Sequence, residues 1–256
     1  MNVKERAALG SIAASAALTA GKAVVGLLTG SLAILSEAGH SLLDLSVTVL
    51  TYFAVHISGK PADAEHQYGH GKVESVAALA ETGFLFLLAG FVIWQALRRL
   101  SGAASPAVEA TLAAFVVIAA SIIVDFFRAR RLRRVAAQTS SEALAADALH
   151  FSTDMWSSLA VLTGLGGVAL GYPSADAVAA LVVAVFICIA GWRLGRRTID
   201  TLTDTAPAGV SERAAAIARR LPGIVSVDRV RARPAGAVLF LELAVGVSRT
   251  LPLDRV

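Results

Sequence analysis

The sequence predicts an all-α membrane protein, a bundle of six transmembrane helices followed by a small C-terminal α+β unit. Hydrophobic residues make up 56% of the 256 residues and charged residues only 16%, as in integral membrane proteins. Six apolar segments are long enough to cross a bilayer, which takes about 20 helical residues. After Arg197 these long apolar runs give way to the pattern of a short helix and two strands.

The limits of the six segments follow from where each apolar run stops. They lie near residues 8–29, 31–57, 75–100, 108–128, 142–170 and 174–193. A tight turn around Gly30 joins the first two segments, and a Gly-Tyr-Pro sequence joins the last two. The longest connections between predicted helices are therefore 58–74 and 129–141.

Lysines and arginines collect at one end of these segments. Twelve lie on one side: Lys4, Arg6, Lys60, Lys72, Arg128, Arg130, Arg131, Arg133, Arg134, Arg193, Arg196 and Arg197. Two lie on the other side, Arg98 and Arg99. Because basic residues stay on the cytoplasmic side, we predict that both termini and both long connections are cytoplasmic. No basic face of a soluble domain is evident, so the sequence does not favour nucleic-acid binding.

Two His-x-x-x-Asp pairs lie inside apolar segments, His40 with Asp44 and His150 with Asp154. Residues four apart share one face of a helix, so each helix offers an imidazole and a carboxylate side by side. Together the four side chains form a His₂Asp₂ set suited to a tetrahedral divalent metal such as zinc. Ionisable groups at this depth are costly and indicate a functional site. The alternative is a pair of hydrogen-bonded His–Asp couples that hold the helices together.

The charge of this set predicts a competition between metal and protons. Two neutral imidazoles and two carboxylates carry a charge of −2, which balances a divalent cation. Without the cation the carboxylates repel each other at low dielectric, and proton uptake is favoured. Because protons and metal bind the same groups, we expect an exchange of metal for protons across the membrane.

The connection PADAEHQYGHGK (61–72) contains a second set of possible ligands, Asp63, His66 and His70. Three such side chains in one short loop can hold zinc, with water or another residue as fourth ligand. The alternative is a solvated loop with scattered polar residues. Cys188 is the single cysteine, which excludes disulfide frameworks and cysteine-based zinc sites.

The segment after the last apolar run predicts a helix at 211–220 and strands at 224–233 and 237–247, joined by a turn at Pro234–Gly236. One helix on a two-stranded hairpin is a marginal core. We therefore expect a truncated domain. The predicted division is a transmembrane domain over 1–206 and a partial cytoplasmic domain over 207–256.

Three motifs together resemble the cation diffusion facilitator family, in its bacterial zinc/iron branch. They are Ser31–Asp44 (SLAILSEAGHSLLD), the loop PADAEHQYGHGK, and Ala145–Gly164 (AADALHFSTDMWSSLAVLTG). The resemblance implies a homodimeric transporter that exports Zn²⁺ or a similar divalent ion from the cytoplasm against protons. It places the transport site between helices 2 and 5, on His40, Asp44, His150 and Asp154.

The resemblance also implies an ion bound at Asp63, His66 and His70, and a salt bridge from Lys72 to an aspartate after helix 6, matched by Asp204. It gives the C-terminal unit a ferredoxin-like fold. This chain departs from the family where an aspartate usually begins the helix 2 motif and His40 stands instead. The extra imidazole favours zinc over manganese and leaves cobalt, nickel, cadmium and ferrous iron open.

The sequence therefore predicts a proton-coupled zinc exporter in a bacterial inner membrane, with zinc as substrate and no organic cofactor. A metal-sensing membrane protein or an inactive truncated transporter is the alternative. An intramembrane metalloenzyme is disfavoured because four protein ligands leave no position for a catalytic water, and His-Glu-x-x-His is absent from the sequence. We expect no enzymatic activity.

Overall fold

A computed structural model describes residues 2–29, 32–101, 112–169 and 175–249. Each of the six predicted apolar segments is a long helix. Their bounds are α1 Val3–Thr29, α2 Leu32–Ser58, α3 Lys72–Leu100, α4 Leu112–Thr139, α5 Glu142–Ala169 and α6 Ala175–Leu202. Within the described residues, four stretches are long and apolar enough to cross a membrane: Val3–Val25, Ser41–Ser58, Lys72–Arg98 and Ala177–Leu202. The six membrane crossings therefore stay a prediction.

Two helices run well beyond the C-terminal limits that their apolar segments predicted. Helix α4 continues to Thr139, so the predicted connection 129–141 is wrong and shrinks to Ser140 and Ser141. Helix α6 continues from 193 to Leu202. Arginine and alanine are good helix formers, so the backbone stays helical after the apolar run ends. Ser140 has φ 51°, and the Ser141 hydroxyl accepts a hydrogen bond from the Leu144 N–H at 3.3 Å, which caps α5.

Small side chains form much of the bundle interior. Helix α1 packs mainly on α2, α3 on α6, and α5 on both α4 and α6. The buried cluster at the arginine-rich end is dominated by alanines, among them Ala8, Ala54, Ala136 and Ala143, around Phe151. Small residues let helix backbones approach closely in membranes, where packing rather than water exclusion drives association. Helix α2 meets α5 over a shorter stretch, where Asp44 of α2 lies beside His150 of α5.

The predicted helix–strand–strand unit is present after α6. Helix α7 spans Val210–Ala218, and strands β1 (Ile224–Ala235) and β2 (Val238–Val247) pair antiparallel. Gly236 takes φ 62° in the turn between them, a conformation that glycine adopts without steric cost.

Three contacts connect this unit and its linker to α3 and to the loop that precedes it. The Lys72 Nζ atom lies 2.7 Å from Asp204 Oδ1, so the salt bridge implied by the family resemblance is present. Gly71 lies directly against the β1–β2 turn, where an added Cβ would stand 2.6 Å from the Ala235 carbonyl oxygen. The guanidinium of Arg233 lies 3.3 Å above the Tyr68 ring. The loop that carries the predicted metal ligands is therefore packed on the hairpin.

Candidate metal centre

Three side chains from two helices converge inside the bundle. Asp44 comes from α2, and His150 and Asp154 come from successive turns of α5. The His150 Nε2 atom lies 3.2 Å from Asp44 Oδ1 and 3.5 Å from Asp154 Oδ2. One ligand atom from each residue lies within 4.8 Å of the other two. This spacing suits a single ion with metal–ligand bonds of about 2.0–2.2 Å.

The surroundings of this cluster are buried and partly aromatic. The His150 side chain is 1% exposed, Asp44 is 13% exposed and Asp154 is 16% exposed. The Phe151 and Phe84 ring centroids lie 5.2 Å and 6.1 Å from the imidazole. Two carboxylates in such surroundings need a cation, a proton or a positively charged imidazole as partner, because an unpaired buried charge is costly. The cluster can therefore bind a divalent cation or protons.

His40, the fourth predicted ligand, lies on α2 one turn before Asp44. Its side chain is outside the described part of the structure. The spacing of four residues keeps position 40 on the same helix face as Asp44. The structure thus brings together three of the four predicted ligands, and the complete His₂Asp₂ set stays a prediction.

A buried arginine lies beside the cluster. Arg128, which the sequence places among the basic residues at one end of the apolar segments, is 8% exposed. Its Nη2 group donates to Ser11 Oγ at 2.9 Å and to Ser15 Oγ at 2.6 Å. Its Nη1 group pairs with Asp125 at 3.3 Å, and the guanidinium lies 3.5 Å above the Phe151 ring. The sequence signal for this ion pair is the i, i+3 spacing of Asp125 and Arg128, which places both side chains on one face of α4.

Two further carboxylates are buried in the bundle. Asp147 on α5 is fully buried, and one of its oxygens accepts a hydrogen bond from Ser11 at 3.4 Å. Glu81 on α3 is 2% exposed and accepts a hydrogen bond from the Thr51 hydroxyl on α2. Both carboxylates link neighbouring helices around the cluster of Asp44, His150 and Asp154. Asp147 also shares Ser11 with Arg128, which connects α1, α4 and α5.

The loop before α3 gathers the second predicted ligand set. The Asp63 carboxylate lies 3.3 Å from His66 Nδ1 and 3.4 Å from His70 Nε2. The two imidazole centroids are 4.3 Å apart. As in the buried cluster, the three ligand atoms lie within 4.8 Å of one another. All three predicted loop ligands are thus close enough to share one ion.

The backbone of the loop prepares Asp63 as a ligand. The His66 N–H donates to Asp63 Oδ1 at 2.6 Å, and the Glu65 N–H donates to the same oxygen at 3.1 Å. The hydrogen bond from the His66 backbone is the main cause that lowers the pKa of Asp63 below its usual value, and desolvation opposes it. The carboxylate therefore stays ionised and available to a cation. His70 is held in place by Pro61, whose carbonyl oxygen lies 3.2 Å from Nδ1.

Helices long and apolar enough to cross a membrane, with a buried cluster of two carboxylates and an imidazole, define a membrane protein that handles a cation. Residues 8–203 match the family model of the cation efflux transmembrane domain. The chain is 31% identical over 252 residues to the cation-efflux pumps FieF of Salmonella paratyphi A and Salmonella agona (strain SL483). The match covers 97% of this chain and 82% of each relative.

The chain belongs to the cation diffusion facilitator family. The family comprises transporters that export divalent cations, and the chain is a multi-pass membrane protein of this kind. The function predicted from the three sequence motifs is therefore confirmed at the level of divalent-cation export.

Proposed function

We propose that the chain exports Zn²⁺ from the cytoplasm in exchange for protons, through a tetrahedral site formed by His40, Asp44, His150 and Asp154. The observation that carries the proposal is the convergence of Asp44 from α2 with His150 and Asp154 from α5 within 4.8 Å. The two helices supply the ligands from opposite sides of one buried space. An ion held there links α2 to α5. Its release removes the positive charge that holds Asp44 of α2 and Asp154 of α5 close together.

Zinc is favoured by the ligand types. Two imidazoles and two carboxylates match the nitrogen and oxygen ligands that Zn²⁺ accepts in tetrahedral sites. Manganese and magnesium prefer six oxygen ligands in octahedral geometry. Cadmium, cobalt, nickel and ferrous iron accept similar ligands, so the ranking among them is a matter for measurement.

Proton coupling follows from the charge of the ligands. With Zn²⁺ bound, the two carboxylates of the site are neutralised. Asp44 and Asp154 lie 3.2 Å and 3.5 Å from His150 Nε2, so one imidazole can serve both carboxylates once the ion has left. A proton on that imidazole restores a favourable charge balance in the low-dielectric interior. Protons entering from outside thus displace the ion and reset the site.

The proposed cycle is one of alternating access. Zn²⁺ enters from the cytoplasm, loses water to the four ligands, and leaves on the other side after the helices rearrange. An inside-negative membrane opposes outward movement of each positive charge by about 2.3 kcal/mol per 100 mV, which inward protons offset. The proposal includes six membrane crossings over 1–206, both termini in the cytoplasm of a bacterium, and a homodimer. The proposal also assigns the residues after 206 to a cytoplasmic, ferredoxin-like domain.

The loop cluster of Asp63, His66 and His70 is proposed as a separate, resident zinc site. Asp63 and His66 are each 52% exposed, so this cluster is open to solvent, unlike the buried one. An ion there neutralises Asp63 and fixes a loop that packs against the β1–β2 turn through Gly71. We expect this ion to support capture and domain contact rather than to cross the membrane.

Metal-resolved proton flux in proteoliposomes tests the function. The purified full chain is reconstituted with an internal pH dye, and Zn²⁺, Cd²⁺, Co²⁺, Fe²⁺ and Mn²⁺ are added in turn. We expect Zn²⁺ to move protons most strongly and Asp154→Asn to abolish the signal. Asp200→Asn is the matched control, because it removes the same charge from an exposed residue of α6. This variant should leave the flux intact.

Each competing function predicts a different combination of proton flux, zinc binding and peptide hydrolysis. Zinc binding to the unaltered protein without any ion-dependent proton movement would support a sensor or an inactive transporter. Peptide hydrolysis that requires the same four residues would support a metalloenzyme. Undiminished flux in the Asp154→Asn variant would contradict the assignment of the site.

A further inference from the structure

An apolar groove lies between α5 and α6, beside the helices that carry the metal ligands. Its volume is about 640 Å³, and its walls include Trp156, Leu159, Val182, Phe186 and Ile187. Trp156, Val182 and Phe186 are at least half exposed, so the groove opens sideways from the bundle. In a membrane this opening faces the acyl chains of the lipid. None of the three metal ligands described for α2 and α5 lines the groove.

A smaller, more polar cavity adjoins the groove at the arginine-rich end of the bundle. Its volume is about 330 Å³, and Arg133 of α4, Ser140 and Arg197 of α6 contribute to its walls. Arg133 and Leu149 line both cavities. A molecule with a polar head and an apolar tail could therefore occupy the two spaces continuously.

The two arginines lack carboxylate partners among the described residues. Arg133 donates to the neutral Ser152 hydroxyl at 3.0 Å, and neither Arg133 nor Arg197 forms an ion pair within the described ranges. Glu142 lines the same cavity: one of its oxygens accepts a hydrogen bond from Thr201 at 2.7 Å, and the other is buried without a hydrogen-bond partner in the part of the chain that the structure describes, so two guanidinium groups stand against one carboxylate. The carboxylate is also favoured by its place at the N-terminus of α5. Two guanidinium groups thus remain available to an anion at the mouth of an apolar groove.

We propose that this site binds one anionic phospholipid, with its phosphate between Arg133 and Arg197 and an acyl chain in the groove. Guanidinium groups recognise phosphate oxygens through paired hydrogen bonds. The groove follows α5 from Leu149 to Thr163, which is about 21 Å at 1.5 Å per residue. Half of a hydrocarbon core measures about 15 Å, so the groove spans the depth of one leaflet. The site does not depend on which ion the protein exports.

Native mass spectrometry of the full chain in neutral detergent tests the site, with phosphatidylglycerol and phosphatidylcholine as probes. We expect one phosphatidylglycerol to remain bound at concentrations where phosphatidylcholine is lost. The double variant Arg133→Gln/Arg197→Gln should weaken phosphatidylglycerol binding roughly 30-fold, at about fivefold for each arginine. The control variant Arg134→Gln/Arg196→Gln removes the same charge from the neighbouring arginine on each helix. Neither of these arginines lines either cavity. This control should bind like the unaltered protein.

A second variant tests the apolar half of the site without changing charge. Ala190→Phe fills the groove from α6 and should weaken phosphatidylglycerol retention, while circular dichroism verifies that the helices remain folded. Equal retention of both lipids by the unaltered protein would overturn the proposal. So would equal loss of phosphatidylglycerol binding in the two double variants. Loss of the lipid adduct on dimerisation would also overturn the proposal, because it would show that a second copy of the chain covers the groove.

Discussion

The buried ion pair between Arg128 and Asp125 provides a sharp test of the bundle interior. Replacement of Arg128 by methionine, which has a similar length, removes the positive charge. It leaves the Asp125 carboxylate, whose side chain is only 12% exposed, without this partner. Breaking a buried pair from one side costs about 3–5 kcal/mol of unfolding free energy, because one charge is left unpaired. We expect Arg128→Met to lose stability in this range.

The double variant Arg128→Met/Asp125→Asn removes both charges and should be the more stable of the two. It still loses two hydrogen bonds to serines, at about 0.6 kcal/mol each between membrane helices. It also loses the contact of the guanidinium with Phe151, worth about 1 kcal/mol. The expected loss is about 2 kcal/mol, so the second substitution should recover roughly 2 kcal/mol.

Unfolding by sodium dodecyl sulfate, followed by tryptophan fluorescence and circular dichroism, measures these differences in mixed micelles. Arg130→Met is the matched control, because Arg130 lies on the same helix and is exposed; it should change stability by less than about 0.5 kcal/mol. A double variant as unstable as Arg128→Met alone would refute the reasoning. It would show that Asp125 and Arg128 do not depend on each other.

Three further predictions concern the loop before α3 and its contact with the hairpin. His70→Ala should weaken zinc binding at the loop by at least about 10-fold, because loss of a direct ligand costs no less than loss of a residue that orients one. Zinc-driven proton flux should be retained; equilibrium dialysis and vesicle assays measure the two effects. Gly71→Ala should force the loop away from the Ala235 carbonyl, at about 1–3 kcal/mol, and increase hydrogen exchange in the β1–β2 turn. The Asp63 carboxyl should titrate below about 3.9, its ordinary value, in carbon-detected NMR.

Each of these predictions has its own control or contrary result. Flux lost as completely in His70→Ala as in Asp154→Asn would mean that the loop ligands belong to the transport path. Gly83→Ala is the control for Gly71→Ala, because an added Cβ there meets nothing within 4 Å. For Asp63, the lowered pKa means that the hydrogen-bonded turn stabilises the loop fully above the ordinary pKa. That contribution falls as pH drops through the lowered value; a midpoint at or above about 3.9 would contradict it.

The sequence was informative about element types and ligand positions because both follow short, regular patterns. Apolar length located all six long helices, and the i, i+4 spacing placed His150 beside Asp154, which the structure brings to 3.5 Å. The alternation of residues after 224 predicted the hairpin, whose described strands begin at Ile224 and Val238. These features depend on neighbours along the chain, which a single sequence contains in full.

Helix ends and buried polar partners were harder to predict. Hydropathy marks where a helix leaves the apolar layer rather than where its backbone hydrogen bonds stop. The apolar run of α4 therefore predicts an end at 128, which is 11 residues before the observed end at Thr139. The partners of Arg128 on α1, Ser11 and Ser15, lie 117 and 113 residues away along the chain. No local pattern specifies such a contact. The closeness of Asp44 to His150 was inferred from ligand chemistry and the family resemblance, since the two are 106 residues apart.

The way the helices pack gives the bound ion a mechanical role under the proposed function. Helix α1 packs on α2, and α4 and α6 pack on α5, whereas α2 and α5 meet over a shorter stretch. The direct contact between α2 and α5 is therefore small. Under the proposed function, ligand bonds from Asp44 on one side and from His150 and Asp154 on the other supply much of the attraction between these helices. A proton on His150 restores charge balance but cannot bridge the helices as firmly as a divalent ion with short bonds. Replacement of the ion by protons thus weakens the link between α2 and α5 at the step where the site must open.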